Sequence, residues 1–225
     1  KRLGGKVNVC APATVFETTY TSEAEICECI APPAQAFSKN FLEIGAADGQ
    51  YLSNLLFFEM QMNWKGICIE GSPSTFQLLR VNRPKCINLN AVIGSEQGKK
   101  LFYTFHSPNS WEIGMSCMQG TACGKRDEDA EAYAEANQLT LIKEYVEMRR
   151  LSDIFQMYGF KSFGWLMIDV EGAEDMVVPT INFDLVAADF VSYEGTHKTA
   201  HEHISNSGYI ESFTVGLDTF FVPRI

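Results

Sequence analysis

Long hydrophobic runs and an excess of basic charge are both missing from this sequence of 225 residues. The apolar stretch 163–168 falls far short of the roughly 18 residues that a membrane-spanning helix needs, and no signal-peptide core follows Lys1. The 18 Lys and Arg residues against 28 Asp and Glu give a net charge of −10, and the basic residues are scattered. Because nucleic-acid binding depends on neutralised phosphates, we do not expect a nucleic-acid partner. The short apolar runs likewise predict that the sequence has no transmembrane segment.

Cysteine spacings typical of zinc sites are missing as well. The seven cysteines form no CxxC pair, and the chain has no N-x-S/T glycosylation acceptor. Cys68 and Cys86 lie in apolar runs, where we expect ordinary buried thiols. This pattern favours reduced thiols and a cytoplasmic protein. Because the sequence begins at Lys1 rather than Met, we expect a domain cut from a longer polypeptide.

A folded α/β domain is what the remaining composition predicts, with 46% apolar and 20% charged residues. From Phe41 onward, short apolar runs alternate with helical stretches, as in βαβ units around a parallel sheet. The predicted strands are 41–44, 66–70, 86–90, 163–168 and 190–194, and 209–215 with 219–222 form a closing antiparallel hairpin. The predicted helices are 51–60 with Leu52, Leu55, Leu56 and Met60 inward, 74–81, 151–158 and 172–179.

Two regions depart from this repeat. Residues 1–39 are predicted to form an N-terminal cap segment with one helix around 23–30, ahead of the main domain at 40–225. That domain carries an insertion at about 94–150. Within the insertion we expect a strand at 100–105, a loop at 107–124 and, at 127–137, a solvated helix with almost no apolar stripe.

The segment 41–51, Phe-Leu-Glu-Ile-Gly-Ala-Ala-Asp-Gly-Gln-Tyr, predicts a strand, a glycine turn and a helix. Gly45 and Gly49 would let the backbone approach a ligand closely, and the helix N-terminus would offer free N–H groups. The pattern is not G-x-G-x-x-G, so it disfavours a nicotinamide dinucleotide. Glu43 would repel a pyrophosphate but suits an ammonium or sulfonium group, and S-adenosylmethionine carries both.

The second predicted strand ends in an acid, Glu70, which follows Gly45 by 25 residues. A carboxylate at a strand end of this kind can accept both ribose hydroxyls of a nucleoside. The two strand ends support each other as parts of one nucleoside site.

These segments resemble the FkbM family of S-adenosylmethionine-dependent methyltransferases. The resemblance covers about residues 40–195 in the family's order, and its most specific element is Ile-Asp-Val-Glu-Gly-Ala-Glu at 168–174. After Glu70 this chain has Gly-Ser-Pro, where the family more often has proline first. The other matching segments are 41–51, 52–59, 63–70 and 88–92.

The resemblance implies a class I methyltransferase fold. This is a Rossmann-like three-layer sandwich around a mostly parallel seven-stranded sheet of order 3-2-1-4-5-7-6, with a C-terminal antiparallel hairpin. S-adenosylmethionine would lie across the carboxyl ends of strands one and two, and the acceptor over strands four and five. The residues that would hold the cofactor by position are Glu43, Gly45, Ala46, Asp48, Gly49, Ser53, Asn54, Glu70, Ser72, Asn90, Ala91 and Asp169.

The candidate catalytic residues lie at or just after the ends of strands four and five. Asp169 stands at the tip of strand four, where we expect it to position the acceptor, and Glu194 or His197 would remove the hydroxyl proton. Of Glu171 and Glu174, at least one is predicted to be only a helix N-terminal charge. Asp169 and Glu194 could also offer oxygen ligands to magnesium, or bind substrate hydroxyls directly, and both alternatives stay open.

The implied function is S-adenosylmethionine-dependent methylation of a hydroxyl, most often on a sugar in a glycan or glycoconjugate. Trp111 and Phe105 could stack on the sugar ring or could equally have a core or packing role. A glycosyltransferase is the expected fused neighbour or partner. Three alternatives remain. They are a non-sugar small-molecule acceptor, a non-catalytic Rossmann-like binding module, and an oxidoreductase on a similar sheet, which the missing third glycine disfavours.

Overall fold

The computed structural model describes residues 38–51, 53–106, 116–121 and 127–224. The predicted cap segment as far as residue 37, its helix and Trp111 lie outside these residues. Among the helices of the described ranges, none is long and apolar enough to cross a membrane.

Strands and helices alternate along the described residues. The strands are β1 (Asn40–Ile44), β2 (Lys65–Glu70), β3 (Ile87–Asn90), β4 (Val92–Ile93), β5 (Gly98–His106), β6 (Cys117–Met118), β7 (Thr140–Arg149), β8 (Ser162–Ile168), β9 (Ala187–Glu194), β10 (Tyr209–Val215) and β11 (Asp218–Pro223). The helices are α1 (Leu56–Met60), α2 (Pro73–Asn82), α3 (Asp127–Ala136), α4 (Leu151–Tyr158), α5 (Glu174–Val177), which continues into a 3₁₀ turn at Val178–Thr180, and α6 (Lys198–Asn206).

The larger sheet has seven strands in the order β10-β11-β9-β8-β1-β2-β3. The pairings from β3 through β2, β1 and β8 to β9 are parallel. The pairings of β11 with β9 and β10 are antiparallel, so the sheet is mixed and ends in the predicted hairpin. When this sheet's own strands are numbered along the chain, the order is the one that the resemblance implies. The three-layer arrangement stays a prediction.

Continuous apolar runs form the centre of this sheet. Leu42, Ile67 and Leu166 are fully buried, and they belong to one core cluster with Ile44 and Ile168. Parallel strands covered on both faces have this unbroken apolar pattern, which is why the sequence predicts them well. The carboxyl ends of β1, β2 and β8 therefore meet at one edge of the sheet.

Helix α1 is shorter than the predicted helix 51–60. The Asp48 carboxylate accepts hydrogen bonds from the backbone N–H groups of Gln50 and Tyr51, at 2.9 and 2.8 Å. These two N–H groups belong to a turn ahead of the helix, which begins only at Leu56. The predicted inward position of Met60 is wrong, because its side chain is 53% exposed.

The smaller sheet, of order β4-β7-β5-β6, uses residues 92–149, the interval of the predicted insertion. β5 and β7 pair antiparallel along their whole length, from Gly98 opposite Met148 to His106 opposite Thr140. The sequence does not predict β7, because charged side chains interrupt its apolar residues. Its pairing with β5 is a long-range contact that no local pattern reports.

Helix α3 packs against this sheet through a short apolar stripe, whereas the sequence predicts a solvated helix with almost none. Ala130 and Ala134, one turn apart, are buried against Tyr103 and Phe105. The ring of Phe105 also meets Tyr133 edge-to-face at 5.1 Å and is 1% exposed. Of the two roles that the sequence leaves open for Phe105, the core role is therefore confirmed, and the buried ring is not available to a sugar.

The predicted free thiols of Cys68 and Cys86 are wrong as well. These two residues form a disulfide, with their Cα atoms 6.2 Å apart. The parallel pairing of β2 with β3 brings them within bonding range. Cys117 is also disulfide-bonded. The cytoplasmic prediction rested on reduced thiols and loses that support.

Candidate active site

A cavity opens at the carboxyl ends of β1, β2 and β8. Among the described residues that line it, five are acidic and none is Lys, Arg or His. We call the part around Glu43, Glu70 and Ala91 the β1–β2 end, and the part around Asp169 and Glu194 the β8–β9 end. The other lining residues are Ile44, Gly45, Ala46, Ala47, Tyr51, Ser53, Ile69, Gly71, Val92, Ile93, Phe102, Ser116, Met118, Met167, Val170, Glu171, Ala173 and Val177.

Gly45 lets β1 pass directly against the end of β8. Its φ is +87°, and a Cβ there would lie 1.6 Å from the carbonyl oxygen of Asp169. The Asp169 N–H donates to the carbonyl oxygen of Ile44 at 2.9 Å. The close approach that this glycine permits is therefore to the neighbouring strand, and it fixes where Asp169 enters the cavity.

Gly49 makes room for a side chain that the sequence analysis missed. Its φ is +79°, and a Cβ would meet Arg83 Cγ at 2.5 Å and Leu79 Cδ1 at 2.6 Å. Gly49 is not among the described lining residues. The close approach that Gly49 permits is therefore to the Arg83 side chain and not to a ligand. The Gly49 carbonyl oxygen accepts a hydrogen bond from Arg83 Nη1 at 3.3 Å.

Arg83 is fully buried and joins the acids of the β1–β2 end. Its Nη1 donates to Glu43 Oε2 at 3.1 Å and to Ser53 Oγ at 2.9 Å, and its Nε donates to Glu59. Ser53 in turn donates to Glu43 Oε1 at 2.7 Å. Burial raises the pKa of Glu43, and the Arg83 guanidinium acts in the opposite direction. Nothing in the sequence around Arg83 marks it, because its partners come from distant segments.

Glu70 is held at the tip of β2 by backbone donors. Its Oε2 accepts from the Ala47 N–H at 2.9 Å and its Oε1 from the Ser72 N–H at 2.6 Å. Burial raises the pKa of Glu70 to about 7, and the two backbone hydrogen bonds oppose that rise. Each oxygen keeps lone pairs for a further donor, so the carboxylate can still bind a ligand's hydroxyls.

The other residues predicted to hold a cofactor divide into two groups. Ala46 and Ala91 line the cavity. Asp48, Asn54, Ser72 and Asn90 are not among the described lining residues, and their polar groups are used locally. Asp48 forms the turn before α1, and Asn54 donates to Met167 Sδ. Ser72 Oγ accepts from the Thr75 N–H, and Asn90 donates to the carbonyl oxygens of Glu70 and Gly71.

Three carboxylates meet at the β8–β9 end. One oxygen each from Asp169, Glu171 and Glu194 lies within 4.8 Å of the others. Asp169 follows β8, and Glu194 is the last residue of the adjacent parallel strand β9. Of Glu171 and Glu174, of which at least one is predicted to be a helix N-terminal charge, Glu174 lies in the first turn of α5. Glu171 has a φ of +52°, a costly backbone conformation for a non-glycine residue. We call these three residues the carboxylate cluster.

Burial and mutual repulsion dominate the electrostatics of the carboxylate cluster. They raise the pKa of Asp169 well above its ordinary value, with the charges of Glu194 and Glu171 adding to the effect of burial. They raise the pKa of Glu171 to about 7. Asp218, at the start of β11 and near Glu194, has its pKa raised to about 6 by burial and by the Glu194 charge.

The described ion-pair contacts of His197 are with Glu174 and Asp175, not with a member of the carboxylate cluster. Its Nε2 lies 2.9 Å from Glu174 Oε2, and its Nδ1 lies 3.8 Å from Asp175 Oδ2. Glu174 Oε1 accepts from the Val170 N–H at 2.9 Å, so this acid braces the turn that carries Glu171. The structure thus brings together Asp169 and Glu194 but does not place His197 among the described lining residues.

The arrangement defines an α/β protein with a ligand cavity across the strand ends of its larger sheet. The family model of the methyltransferase FkbM domain matches residues 43–205 of this sequence. The chain belongs to the FkbM methyltransferase family. No protein with curated annotation matches the sequence.

Proposed function

We propose that this chain is an S-adenosylmethionine-dependent O-methyltransferase whose acceptor is a sugar hydroxyl in a glycan or glycoconjugate. The observation that carries the proposal is the cavity at the ends of β1, β2 and β8, with acidic side chains at both ends and no basic residue among its described lining. A positively charged nucleoside fits such a cavity, whereas a pyrophosphate would be repelled. Membership of the FkbM family supports the same class of reaction.

The β1–β2 end would hold the cofactor. Glu70, fixed by two backbone N–H groups, would accept the ribose hydroxyls, and Ala91 would border the adenine. Ser53 and Glu43 would lie beside the methionine part. Because Arg83 already contacts Glu43, this carboxylate acts as a fixed wall more than as a free counter-ion.

The β8–β9 end would hold the acceptor. A bound S-adenosylmethionine supplies an electrophilic methyl group, so the main task of the chain is to align the acceptor oxygen with it. Asp169 would orient the hydroxyl, and Glu194 or Asp169 would accept its proton as the new carbon–oxygen bond forms. The raised pKa of Asp169 and of Glu171 makes their carboxylates stronger bases than ordinary surface acids.

A neutral, polyhydroxylated acceptor suits this end of the cavity. Carboxylates accept hydrogen bonds from hydroxyl groups and repel anions. Tyr51 lines the cavity and is 44% exposed, so its ring is available for stacking on a sugar, unlike that of Phe105. A glycosyltransferase partner remains a prediction of the resemblance.

Transfer of a radiolabelled methyl group from S-adenosylmethionine tests this function. The acceptors are a panel of neutral saccharides and a panel of non-sugar phenols and alcohols. We expect label in a saccharide, and Glu70→Gln should raise the KM for S-adenosylmethionine while Glu147→Gln, an exposed acid of β7, leaves it unchanged. Label only in the non-sugar panel would overturn the sugar assignment, and cofactor binding without any transfer would favour a non-catalytic module.

A further inference from the structure

The negative charge of the carboxylate cluster is not balanced by a cationic side chain among the described lining residues. Asp169 Oδ1 is shut off from solvent and has no hydrogen-bond partner in the part of the chain that the structure describes. The cavity's described lining contains no Lys, Arg or His that could neutralise it. Leaving a buried carboxylate oxygen without a donor or a cation is costly, and a cation held by the neighbouring carboxylate oxygens would lower that cost.

The surroundings make the deficit larger. Asp218 lies close enough to Glu194 and Asp169 to add to their repulsion. The nearby imidazole of His197 lies against Glu174 and Asp175 instead. The β8–β9 end therefore concentrates negative charge, with no Lys, Arg or His among its described lining residues to act as a counter-ion.

The spacing of the oxygens fits a single metal ion. Two oxygen ligands of one ion are at most about 4 Å apart for Mg²⁺ and about 5 Å apart for Ca²⁺, so oxygens slightly farther apart need only a small approach to share a Mg²⁺ ion. The three oxygens of the carboxylate cluster lie within 4.8 Å of one another. All three side chains line the cavity, so an ion can enter and can keep other positions for water or an acceptor hydroxyl.

We propose that Asp169, Glu171 and Glu194 form a site for a hard divalent cation, Mg²⁺ or Mn²⁺, at the β8–β9 end of the cavity. Carboxylate oxygens are the donors that these ions prefer, and ions of this class usually retain several waters. Glu171 is the new element of this site, since its left-handed turn between Val170 and Gly172 brings a third carboxylate to the two strand ends. What the ion does rests on the proposed function: it would bind the acceptor hydroxyl and lower its pKa.

Mn²⁺ is the probe, because its free form gives a strong electron paramagnetic resonance signal that binding removes. The complete chain is freed of metals with a chelator and titrated, and Glu194→Gln and Asp169→Asn are compared with Asp218→Asn. Replacing outer partners of metal ligands weakens affinity by about 10–100-fold, so loss of a ligand should weaken it at least as much. Asp218→Asn removes the same charge outside the carboxylate cluster and should retain most of the affinity.

The outcomes separate the cation site from the proposed function. Saturable binding of one Mn²⁺ per chain, lost in Glu194→Gln and Asp169→Asn, supports the site. Absence of saturable binding, or an equal loss in Asp218→Asn, overturns it, since general charge attraction would then explain the result. Calorimetric binding of S-adenosylmethionine to the same preparations is independent, so a protein that binds the nucleoside and not Mn²⁺ refutes the cation site alone.

Discussion

The two ends of the cavity hold the same kind of side chain in opposite settings. At the β1–β2 end, Glu43 is bound by Arg83 and Ser53, and Glu70 by two backbone N–H groups. At the β8–β9 end, Asp169 and its two neighbours face one another, and Asp169 Oδ1 is buried without a hydrogen-bond partner among the described residues. Glu43 and Glu70 at the first end are thus held by donors of the chain, although Arg83 Nη2 and Glu59 Oε1 are also buried without such a partner. No Lys, Arg or His is among the described lining of the second end, where we propose a bound cation.

Removing the arginine should have the largest effect on this contrast. In Arg83→Met, Glu43 and Glu59 become buried carboxylates without their cation, and losing one partner of a buried ion pair costs about 3–5 kcal/mol. The free energy of unfolding in urea measures the loss. Arg80→Met is the matched control, because this exposed arginine in the last turn of α2 has only Gln77 as a partner among the described hydrogen bonds. It should stay within about 0.5 kcal/mol of the parent. Equal stabilities of the two variants would contradict the bracing role of Arg83.

The disulfide should come next in size. It ties β2 to the turn that follows Arg83, since the Cys86 N–H donates to the Arg83 carbonyl. Replacing both Cys68 and Cys86 by Ala opens a link across 18 residues and should lower the free energy of unfolding by about 3 kcal/mol.

The same variant should distinguish the two ends of the cavity. We expect weaker S-adenosylmethionine binding at the β1–β2 end and unchanged Mn²⁺ binding at the β8–β9 end. Alkylation of both cysteines in the denatured parent chain without reductant, detected by mass spectrometry, would contradict the disulfide.

Replacing Glu by Gln at each end should change stability by different amounts. Glu194→Gln relieves repulsion in the carboxylate cluster and should stabilise the metal-free protein by about 0.5–2 kcal/mol while lowering turnover. Glu43→Gln also removes a buried charge, but it weakens the hydrogen bonds that Glu43 accepts from Arg83 and Ser53, so its gain should be smaller. Thermal unfolding with a chelator present measures both. An equal or larger gain in Glu43→Gln would contradict the pairing of Glu43 with Arg83.

The smallest effect should be a dependence on pH at Glu171. Its pKa is raised from 4.5 to about 7, so the folded state binds the proton more tightly than the unfolded state. Stability from this group is intact below the unfolded pKa and is lost progressively as pH rises from 4.5 to about 7.

Glu171→Gln resembles the protonated form at every pH. Its advantage in unfolding temperature over the parent should therefore be absent at the acid end of that window, grow across it and become constant above it. A gap that does not change with pH would show that Glu171 does not titrate as described.

Local patterns predict the strands of the larger sheet and α4 because their apolar residues are continuous or helically spaced. They do not predict β7, whose exposed face is charged and whose pairing with β5 is long-range. Hydrophobic spacing also does not report that α1 begins only at Leu56, or that the Asp48 side chain forms a turn ahead of it.

The acids of the candidate site can be predicted because strand ends of a parallel sheet meet at one edge. This logic brought Glu70, Asp169 and Glu194 to the cavity. It could not find Arg83 or the pairing of Cys68 with Cys86, since both depend on how segments far apart in the chain pack together. The place of Glu171 in the carboxylate cluster could not be predicted either, because it depends on a left-handed backbone turn.

Calorimetric titration of the complete chain with S-adenosylmethionine, its demethylated product and NAD tests the central claim most directly. We expect saturable binding of S-adenosylmethionine and of its demethylated product, with one site per chain, and no binding of NAD. Glu70→Gln should weaken binding by about 1.5–3 kcal/mol, the value of a hydrogen bond to a charged group. Preference for NAD, or no binding of either nucleoside, would contradict the assignment of the cavity and leave only the fold.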